Sequence, residues 1–453
     1  MTIKNVIKHD FCNGCGGCKL YSSSSVNIEF KETGFFKANI NPSQIIDKKI
    51  SSVCPFSDDS VNETILAKSL FEHSTDNYDE KVGFYSGIYT GNIKDQDSRL
   101  SSSSGGLTTF IAKKLLEIGE VDAVIHVGFK SNKFEYAISK TSTELDSELK
   151  KKSRYYPVTL DSICEYIEKT NDKVVIIGIP CFIKSIRLLQ HQGKYLNIKY
   201  CISLLCGHMK SSAFGESLAW QIGITPKLLK YVDFRVKVEG YEASNYFINA
   251  FDINGNKKEA LNSSLFGSNW GLGFFRHKSC NYCDDIAGEL ADVTLGDAWL
   301  PEYTKDYLGT NILVIRNKMI KKILDENKDL LSLNKVDVDT FYQTQKGNYG
   351  NRRGGIIAMN ENDLEWSPIK RLNLCYKYRG DEKKQAIYKY RSKLSRLSID
   401  NFIVAKKCHS LVVYRILMFP YIIKYTYMSN GFFSTLKYFF PLKLKKIIRV
   451  LIK

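Results

Sequence analysis

The sequence predicts an α+β protein in three parts, and its cysteine spacing, hydrophobic periodicity and uneven charge are the observations behind this prediction. Four of the twelve cysteines fall within residues 1–60, where periodic apolar patterning is weak. Apolar strands alternate with helical segments over residues 80–335, and residues 336–453 are poor in strand signals and end in a basic tail. We therefore expect a small amino-terminal domain, an α/β domain and a helical carboxyl-terminal extension.

The number of cysteines also bears on where the protein works. No charged and then apolar secretory segment precedes Cys12, so we expect a cytoplasmic protein in a reducing compartment. Clustered cysteines there bind metal more often than they form disulfides. The formal net charge of +17 favours an anionic partner, and it leaves nucleic acid, an anionic membrane and an acidic protein open.

The amino-terminal domain carries a motif of the ferredoxin type. It reads CNGCGGC from Cys12 to Cys18, but Ser22 stands where the fourth cysteine of a CxxCxxCxxxCP run would be. In two-cluster ferredoxins the fourth cysteine of each run binds the other cluster, and the later run keeps only the CP pair at Cys54. The remaining set predicts a single-cluster, ferredoxin-like 4Fe-4S domain, with a zinc site as the alternative. Its ligands would be Cys12, Cys15, Cys18 and Cys54.

The α/β domain contains a second set of four cysteines. Cys181 follows the strand-like run KVVIIGIP, Cys206 follows the next apolar run, and Cys280 and Cys283 form the segment CNYC. Because the carboxyl ends of parallel strands open on one edge of a sheet, we expect these loops to converge. Thiolates suit both zinc and iron–sulfur clusters, so the residues alone leave both metals open.

A run of small residues before an amphipathic helix is a candidate phosphate site. Backbone amides at a helix start, together with a nearby cation, can hold a phosphate or pyrophosphate. A capped loop without a ligand is the alternative. The residues concerned are Arg99, Ser102, Ser103, Ser104, Gly105 and Gly106.

Four further residues are candidates for binding or catalysis. Lys152 and Tyr155, in the segment KKSRYYP, could face an anionic or aromatic ligand, although such a charge run is also typical of a solvated surface. Asp297 follows a short strand in ADVTLGDAW and His208 follows Cys206 by two positions. Either could transfer a proton, and either could be purely structural.

In their order along the chain, the motifs CxxCxxC, CP, SSSGG, GxPC, CGH, CxxC and LGDxW resemble the family of coenzyme F420 hydrogenase and dehydrogenase beta subunits. The resemblance covers about residues 8–320. It implies a bound FAD and a 4Fe-4S cluster in the flavin domain, and so favours a cluster over zinc at the second set. The implied ligands are Cys181, Cys206, Cys280 and Cys283. The implied FAD contacts are Arg99, Ser102, Ser103, Ser104, Gly105, Gly106, Lys152 and Tyr155.

These features predict an iron–sulfur flavoprotein oxidoreductase. Electrons from a one-electron donor such as ferredoxin would pass through two 4Fe-4S clusters to FAD and an organic acceptor. Relatives of this kind occur among genes for surface polysaccharide synthesis, which suggests an acceptor from that process. One alternative is a non-catalytic electron-transfer subunit of a larger redox complex. Another is a zinc-stapled nucleic-acid-binding protein, which the scarcity of aromatic and basic patches outside the tail disfavours.

The basic tail contains no Asp or Glu between Asn401 and Lys453. It interleaves apolar and aromatic residues with Lys and Arg, and no run approaches the roughly 20 apolar residues that span a bilayer. This pattern favours an interfacial segment that docks peripherally on the anionic inner face of a membrane. The alternative is a pair of helices that pack on the protein's own core and leave their cations in solvent.

Overall fold

The computed structural model describes residues 2–40, 48–146, 152–360, 366–369, 371–432 and 435. These residues form a mixed α+β architecture with one large mixed sheet and a helical carboxyl-terminal region. The predicted α+β class and the helical carboxyl-terminal region are therefore confirmed. The division into a ferredoxin-like domain and a flavin domain stays a prediction.

The strands of the described residues are short, and most belong to the large sheet. They are β1 (Val26–Phe30), β2 (Phe36–Ile40), β3 (Asn77–Asp79), β4 (Gly83–Tyr85), β5 (Gly87–Ile93), β6 (Ala123–Lys130), β7 (Lys133–Ser139), β8 (Val174–Gly178), β9 (Ile198–Leu204), β10 (Leu229–Val236), β11 (Phe247–Asp252), β12 (Lys257–Leu261), β13 (Val293–Asp297), β14 (Asn311–Ile315) and β15 (Leu331–Val336).

The helices lie between these strands and after them. The α-helices are Ile3–Lys8, Gly17–Tyr21, Glu63–Phe71, Gln96–Leu100, Leu107–Glu117, Ser142–Leu145, Cys164–Lys169, Pro180–His191, Ala213–Gln221, Pro301–Thr304, Lys318–Glu326, Val338–Tyr349, Gly355–Asn360, Glu382–Lys407 and Leu411–Asn430. Two of the short 3-10 helices, Lys48–Val53 and Lys278–Tyr282, carry or precede cysteines of the two sets.

The large sheet explains why its inner strands are so apolar. Its eight strands follow the order β15-β5-β14-β13-β9-β8-β6-β7. The inner strands β13, β9, β8 and β6 are parallel, while the strands on either side pair antiparallel. Both faces of the sheet are covered, so β8 reads VVIIG with nearly every residue buried. The carboxyl ends of β8 and β9 consequently open at the same edge.

A smaller antiparallel sheet, β10-β11-β12, stands beside the large one. Its strands β10 and β11 come from the strand-like runs YVDFRVKV and NYFINAFDINGN, and β12 follows the turn at the end of the second run. Gly255, with φ of +88°, lies in the turn between β11 and β12. Because strand alternation and turn chemistry are both local signals, this part of the fold could be predicted.

The amino-terminal segment folds around very little apolar surface. Strands β1 and β2 form an antiparallel hairpin in which Val26 pairs with Ile40. The backbone amide of Ile3 donates to Ser51 Oγ at 3.0 Å and so joins the first helix to the 3-10 helix. The buried apolar residues of this cluster are Ile3, Cys18, Val26, Ala38 and Ile50. A core this small is typical of domains that a metal centre helps to hold together.

The helices Glu382–Lys407 and Leu411–Asn430 form a hairpin whose turn contains His409 at φ +50°. Buried side chains of both helices, among them Phe402 and Tyr414, pack against Phe275. These residues behave as the alternative prediction describes, as helices packed on the protein's own core. The rest of the basic tail, from residue 436 onward, lies outside the described residues. No helix in the described part of the chain has the length and apolar character needed to cross a membrane.

Candidate functional site

The structure brings the four thiols of the first set together. Cys12 and Cys15 lie in the loop before the helix Gly17–Tyr21, Cys18 lies within that helix, and Cys54 follows the 3-10 helix. The loop turns tightly because Gly14 has φ of +67°, and a Cβ there would clash with Phe36. The amide of Ala38 donates to Cys12 Sγ at 3.3 Å.

Burial and neighbouring thiolates raise the pKa of three of these thiols. Burial, and then the Cys12 thiolate, raise the pKa of Cys15 to about 11. Burial and then Cys15 raise the pKa of Cys54 to about 12. For Cys18, burial raises the pKa well above its ordinary value, and all three other thiolates of the set raise it further. Four thiols this buried and this close repel one another once ionised, so a bound cation or metal cluster would stabilise them.

The thiols of the second set converge at the edge of the sheet that the sequence predicts. Cys181 lies in the first turn of the helix after β8, Cys206 lies two residues beyond β9, and Cys280 belongs to the 3-10 helix Lys278–Tyr282. These three and Cys283 line one cavity, together with Asn13 and Phe56 from the amino-terminal segment. Burial raises the pKa of Cys181 well above its ordinary value, and Cys283, Cys206 and Cys280 raise it further.

Arg352 is a residue of this site that the sequence does not reveal. It lies beyond the family-like region, yet its Nε donates to the carbonyl oxygen of Cys283 at 2.7 Å and its Nη1 to that of Gly207 at 2.6 Å. Burial alone would lower the pKa of Arg352, but the four thiolates of the second set raise it. A buried guanidinium thus neutralises part of the charge of the second set. Arg352 lies in a π-helical turn, Gly350–Gly354, a feature that is frequent at functional sites but is visible only in the structure.

The two cysteine sets meet at Asn13. Its side-chain Nδ2 donates to Cys181 Sγ at 3.1 Å, and its Oδ1 accepts from the amide of Cys15 at 3.3 Å. The pKa of Tyr136 is raised by burial and then by the thiolates of Cys181 and Cys15, one from each set. Thiols of both sets also pack in one apolar cluster with Phe11, Phe56 and Tyr282. The sets are therefore adjacent, with apolar side chains around them.

The donor sets fit iron–sulfur clusters in their chemistry. All eight thiols are free of disulfides, and N–H groups of Ala38, Asn13 and Met209 donate to sulfurs of the two sets. Hydrogen bonds to ligating sulfurs are typical of such clusters. No three His, Cys, Asp or Glu side chains of the described residues are grouped so as to hold one metal ion.

The Ser-Gly loop packs tightly on its own chain. Ser102 Oγ donates to the carbonyl oxygen of Ser98 at 2.7 Å, and Ser104 Oγ to that of Thr310 at 3.1 Å. A Cβ on Gly105 would lie 2.7 Å from the carbonyl oxygen of Gly91, so only glycine fits there. Gly106, with φ of +84°, precedes the helix Leu107–Glu117, and Asn311 Oδ1 already accepts from the amide of Leu107. Of the five loop residues, Ser103 borders a cavity.

Arg235 and Lys237 give this cavity its positive charge, and the sequence-based predictions do not include them. They occupy alternate positions of β10 and its end, so they point to one face. Arg235 donates to both carboxylate oxygens of Asp297, at 2.9 and 3.1 Å, and to the carbonyl oxygen of Ser103 at 3.0 Å. Burial, and then Arg235 and Arg99, lower the pKa of Lys237 to about 7. The alternation in YVDFRVKV could have revealed both residues.

Tyr155, Arg99 and Lys152, the other predicted FAD contacts, are not among the residues that line this cavity. The ring of Tyr155 lies 4.9 Å from that of Trp270, and burial followed by Asp297 raises its pKa, although the Arg235 guanidinium opposes this. The Arg99 guanidinium pairs with Asp306 and donates to the carbonyl oxygen of Gly309 at 2.8 Å.

Lys152 lies in a buried ion pair. Its Nζ is 2.7 Å from Asp233 Oδ2, and Arg154 binds the other oxygen of the same carboxylate at 3.1 Å. Lys152 and Arg99 therefore border the loop while bound to carboxylates of the protein.

His208 stands between the second cysteine set and the aromatic residues. Its ring lies 4.5 Å from that of Trp270, and its buried Nε2 has no hydrogen-bond partner among the described residues. Burial, and then Lys210 and Arg276, hold the pKa of His208 well below its ordinary value. Asp297, the other candidate, is bound by Arg235 through both carboxylate oxygens.

Comparison with known proteins places the chain in a family. Residues 88–165 match the model of the N-terminal region of the coenzyme F420 hydrogenase/dehydrogenase beta subunit, and residues 171–339 match that of its C terminus. Together the two models cover more than half of the chain. The first cysteine set and Arg352 lie outside both matched regions.

Three relatives come from Methanocaldococcus jannaschii and Methanosarcina mazei. An uncharacterised protein of Methanocaldococcus jannaschii is 25% identical over 236 residues, which is 50% of this chain and 78% of that protein. One subunit of the F420H2 dehydrogenase of Methanosarcina mazei is 22% identical, and the match covers 73% of this chain and 86% of that subunit. The coenzyme F420-dependent sulfite reductase of Methanocaldococcus jannaschii is 26% identical over 53% of this chain and 37% of its own length. On the strength of the two family models, the chain belongs to the family of coenzyme F420 hydrogenase/dehydrogenase beta subunits.

Proposed function

We propose that this protein is an iron–sulfur electron-transfer subunit of a larger redox complex. The observation that carries the proposal is the contact of the two cysteine sets through Asn13, whose side chain reaches Cys181 Sγ and the amide of Cys15. Adjacent carriers inside apolar surroundings are what a relay of single electrons requires. The relatives named as an F420H2 dehydrogenase subunit and a sulfite reductase support a redox role.

In this proposal each cysteine set holds one 4Fe-4S cluster, which when bound supplies a one-electron carrier. The protein's own part is to fix eight thiolates, to bury them and to set their charge. Arg352 offsets the negative charge of the second set, whereas the described residues supply no comparable arginine contact to the first. The chain's net charge of +17 would attract an acidic donor such as ferredoxin.

The cavity at the Ser-Gly loop supports a bound flavin as a further part of the proposal. Arg235 and Lys237 line this cavity beside Ser103, and Arg99 lies close to Lys237. Arg235 and Arg99 also pair with Asp297 and Asp306. Such a group suits the pyrophosphate of FAD, which would couple the single electrons of the clusters to two-electron chemistry. With a flavin, the protein would act as an oxidoreductase in its own right rather than only as a relay.

Anaerobic purification followed by iron, sulfide, zinc and flavin analysis tests this function. Two clusters predict about eight iron and eight sulfide per chain. Zinc without sulfide would refute the electron-transfer role. One flavin per chain would support the oxidoreductase, and iron without flavin would support the pure relay.

A reduction experiment on the purified protein distinguishes between the possible electron donors. Reduced coenzyme F420 and reduced ferredoxin are each mixed anaerobically with the protein, and cluster bleaching is followed by absorbance. Bleaching by ferredoxin alone supports a one-electron inlet. Bleaching by reduced F420 in flavin-containing but not in flavin-free protein supports a route through the flavin.

A further inference from the structure

Three buried cations lie close to one another, and two of them are near Cys280. Lys210, Arg276 and Arg391 are 2%, 6% and 7% exposed. Elsewhere in the core, Arg187 is paired with Asp292 and Lys184 with Glu63. The buried Arg316 and Arg352 donate to backbone carbonyl oxygens instead. Within the described residues, none of the three forms an ion pair with Asp or Glu, and burying unpaired charge is costly.

Two of these cations line one cavity. Arg276 and Arg391 face it together with polar side chains from two parts of the fold: Asn281, Asn351, Tyr388 and Ser392. Arg391 Nη1 donates to Asn351 Oδ1 and Asn281 Nδ2 donates to Ser392 Oγ at 2.9 Å. The Nε atoms of Arg276 and Arg391 are buried and find no acceptor among the described residues. The cavity therefore offers donors and positive charge without a negative group to receive them.

The cysteine thiolates do not account for these cations. Burial, and then Arg391, lower the pKa of Arg276 to about 9, and the Cys280 thiolate only partly opposes this. Burial lowers the pKa of Arg391, with the tyrosines Tyr425 and Tyr388 opposing it and no cysteine involved. Arg352 behaves in the opposite way, because thiolates raise its pKa. The thiolates therefore do not balance the positive charge of Arg276 and Arg391, and another anion would be needed to do so.

We propose that Arg276 and Arg391, backed by Lys210, form a binding site for a phosphate or pyrophosphate group of a small molecule. Two guanidinium groups suit an anion with more than one negative charge, and arginine matches phosphate oxygens in pairs. Asn281 adjoins Cys280 in the chain, so the anion would lie beside the second cysteine set. Arg391 belongs to the extension beyond the matched family regions, which makes the site a feature of this chain's own carboxyl-terminal part.

The site is tested on the full chain, purified anaerobically, with inorganic pyrophosphate as the probe in calorimetry. Arg391→Met and Arg276→Met each remove one guanidinium, and Lys393→Met removes an exposed cation from the same helix as a control. A charged hydrogen bond contributes enough that each arginine variant should bind at least about tenfold more weakly. Lys393→Met should bind like the wild type.

Two further readouts separate this role from others. Without the anion, Arg391→Met should melt at a higher temperature than the wild type, because it relieves repulsion among buried cations; if it fails to fold, Arg391→Gln takes its place. Unchanged iron content in the variants shows that the arginines do not serve the clusters. A lower melting temperature, or lost iron, would overturn the proposal.

The flavin content of the arginine variants shows which molecule carries the phosphate group. Loss of flavin from the Arg391 variant assigns the flavin's own pyrophosphate to this site and refutes its placement at the Ser-Gly loop. Retained flavin with weaker pyrophosphate binding assigns the site to a phosphorylated acceptor. The proposal fails if the wild type does not bind pyrophosphate and both arginine variants keep their flavin, or if the variants bind pyrophosphate as the wild type does. These outcomes concern anion binding alone, so they are independent of the proposed electron transfer.

Discussion

The two cysteine sets are alike in chemistry and differ in how the chain assembles them. The first set takes three thiols from seven consecutive residues, Cys12 to Cys18, and one from Cys54. The second collects thiols from two strand ends and a distant 3-10 helix, and it is completed by contacts with Asn13 and Arg352. The first depends on local turn chemistry. The second depends on the whole fold, so it should respond to substitutions far from any cysteine.

The largest effect is expected from removing a thiol. Cys54→Ser should lose the same cluster as Cys15→Ser, about four of about eight irons, and leave the second cluster intact. Iron analysis and the electron paramagnetic resonance of the reduced protein measure this loss. Exposed Cys408→Ser serves as the control. Loss of the other cluster from Cys54→Ser would show that Cys54 belongs to the second set.

The second largest effect is expected from a buried ion-pair network, because it joins the elements that enclose the second cysteine set. Glu63 Oε1 lies 2.8 Å from Lys184 Nζ, and Arg371 approaches the same carboxylate at 3.6 Å. Glu63→Gln leaves the buried Lys184 without its carboxylate partner, while Arg371 keeps Asp284 and Glu289. The substitution should cost about 3–5 kcal/mol of unfolding free energy at neutral pH. Denaturant unfolding measures it, with exposed Glu165→Gln as the control.

The difference in unfolding free energy between the wild type and Glu63→Gln should depend on pH in one direction. Burial alone would raise the pKa of Glu63, but Lys184 and then Arg371 lower it from 4.5 to about 2. Its contribution is present above pH 4.5 and is lost as the pH falls towards 2. Glu63→Gln should therefore differ most from the wild type at neutral pH and least near pH 2. A difference that does not change with pH would contradict the pairing.

Arg352 contacts the second cysteine set, so its substitution should affect the two sets differently. Arg352→Gln removes the guanidinium that offsets the second set's thiolates, so chelators should extract that cluster about 10- to 100-fold faster. Its reduction potential should also fall, since the added electron is no longer stabilised. Exposed Lys346→Gln in the neighbouring helix is the matched control. Equal loss from both clusters would mean that Arg352 supports the fold in general.

The smallest effect is expected at Asn13. Asn13→Ala removes the N–H donor to Cys181 Sγ, and a hydrogen bond of about 1 kcal/mol corresponds to about 40 mV for one electron. The second cluster's potential should fall by that amount in a redox titration, with a smaller change in the first. Exposed Asn39→Ala in the same amino-terminal segment is the control. A shift confined to the first cluster would contradict the assignment.

The sequence was informative wherever a signal is local. Cysteine spacing, the alternation of β10 and β11 and the apolar runs of β8 and β9 all act within a few residues, and the structure has the strands as predicted. The contact between Asn13 and Cys181 spans 168 positions of sequence, and no periodicity records such a pairing. The buried arginines of the carboxyl-terminal extension, Arg352 and Arg391, were not predicted. The sequence does not distinguish an arginine that becomes buried from one that stays on the surface.

The distance along the chain between Arg352 and the cysteines that it contacts bears on the order in which the site is synthesised. It lies 69 residues after Cys283, so during synthesis every thiol of the second set leaves the ribosome before the guanidinium that covers it. Domains generally begin to fold in order from the amino terminus. The thiols of the second set would therefore be accessible in the nascent chain before the carboxyl-terminal helices fold over the site. Under the proposed function, this is the interval in which iron and sulfide would be delivered.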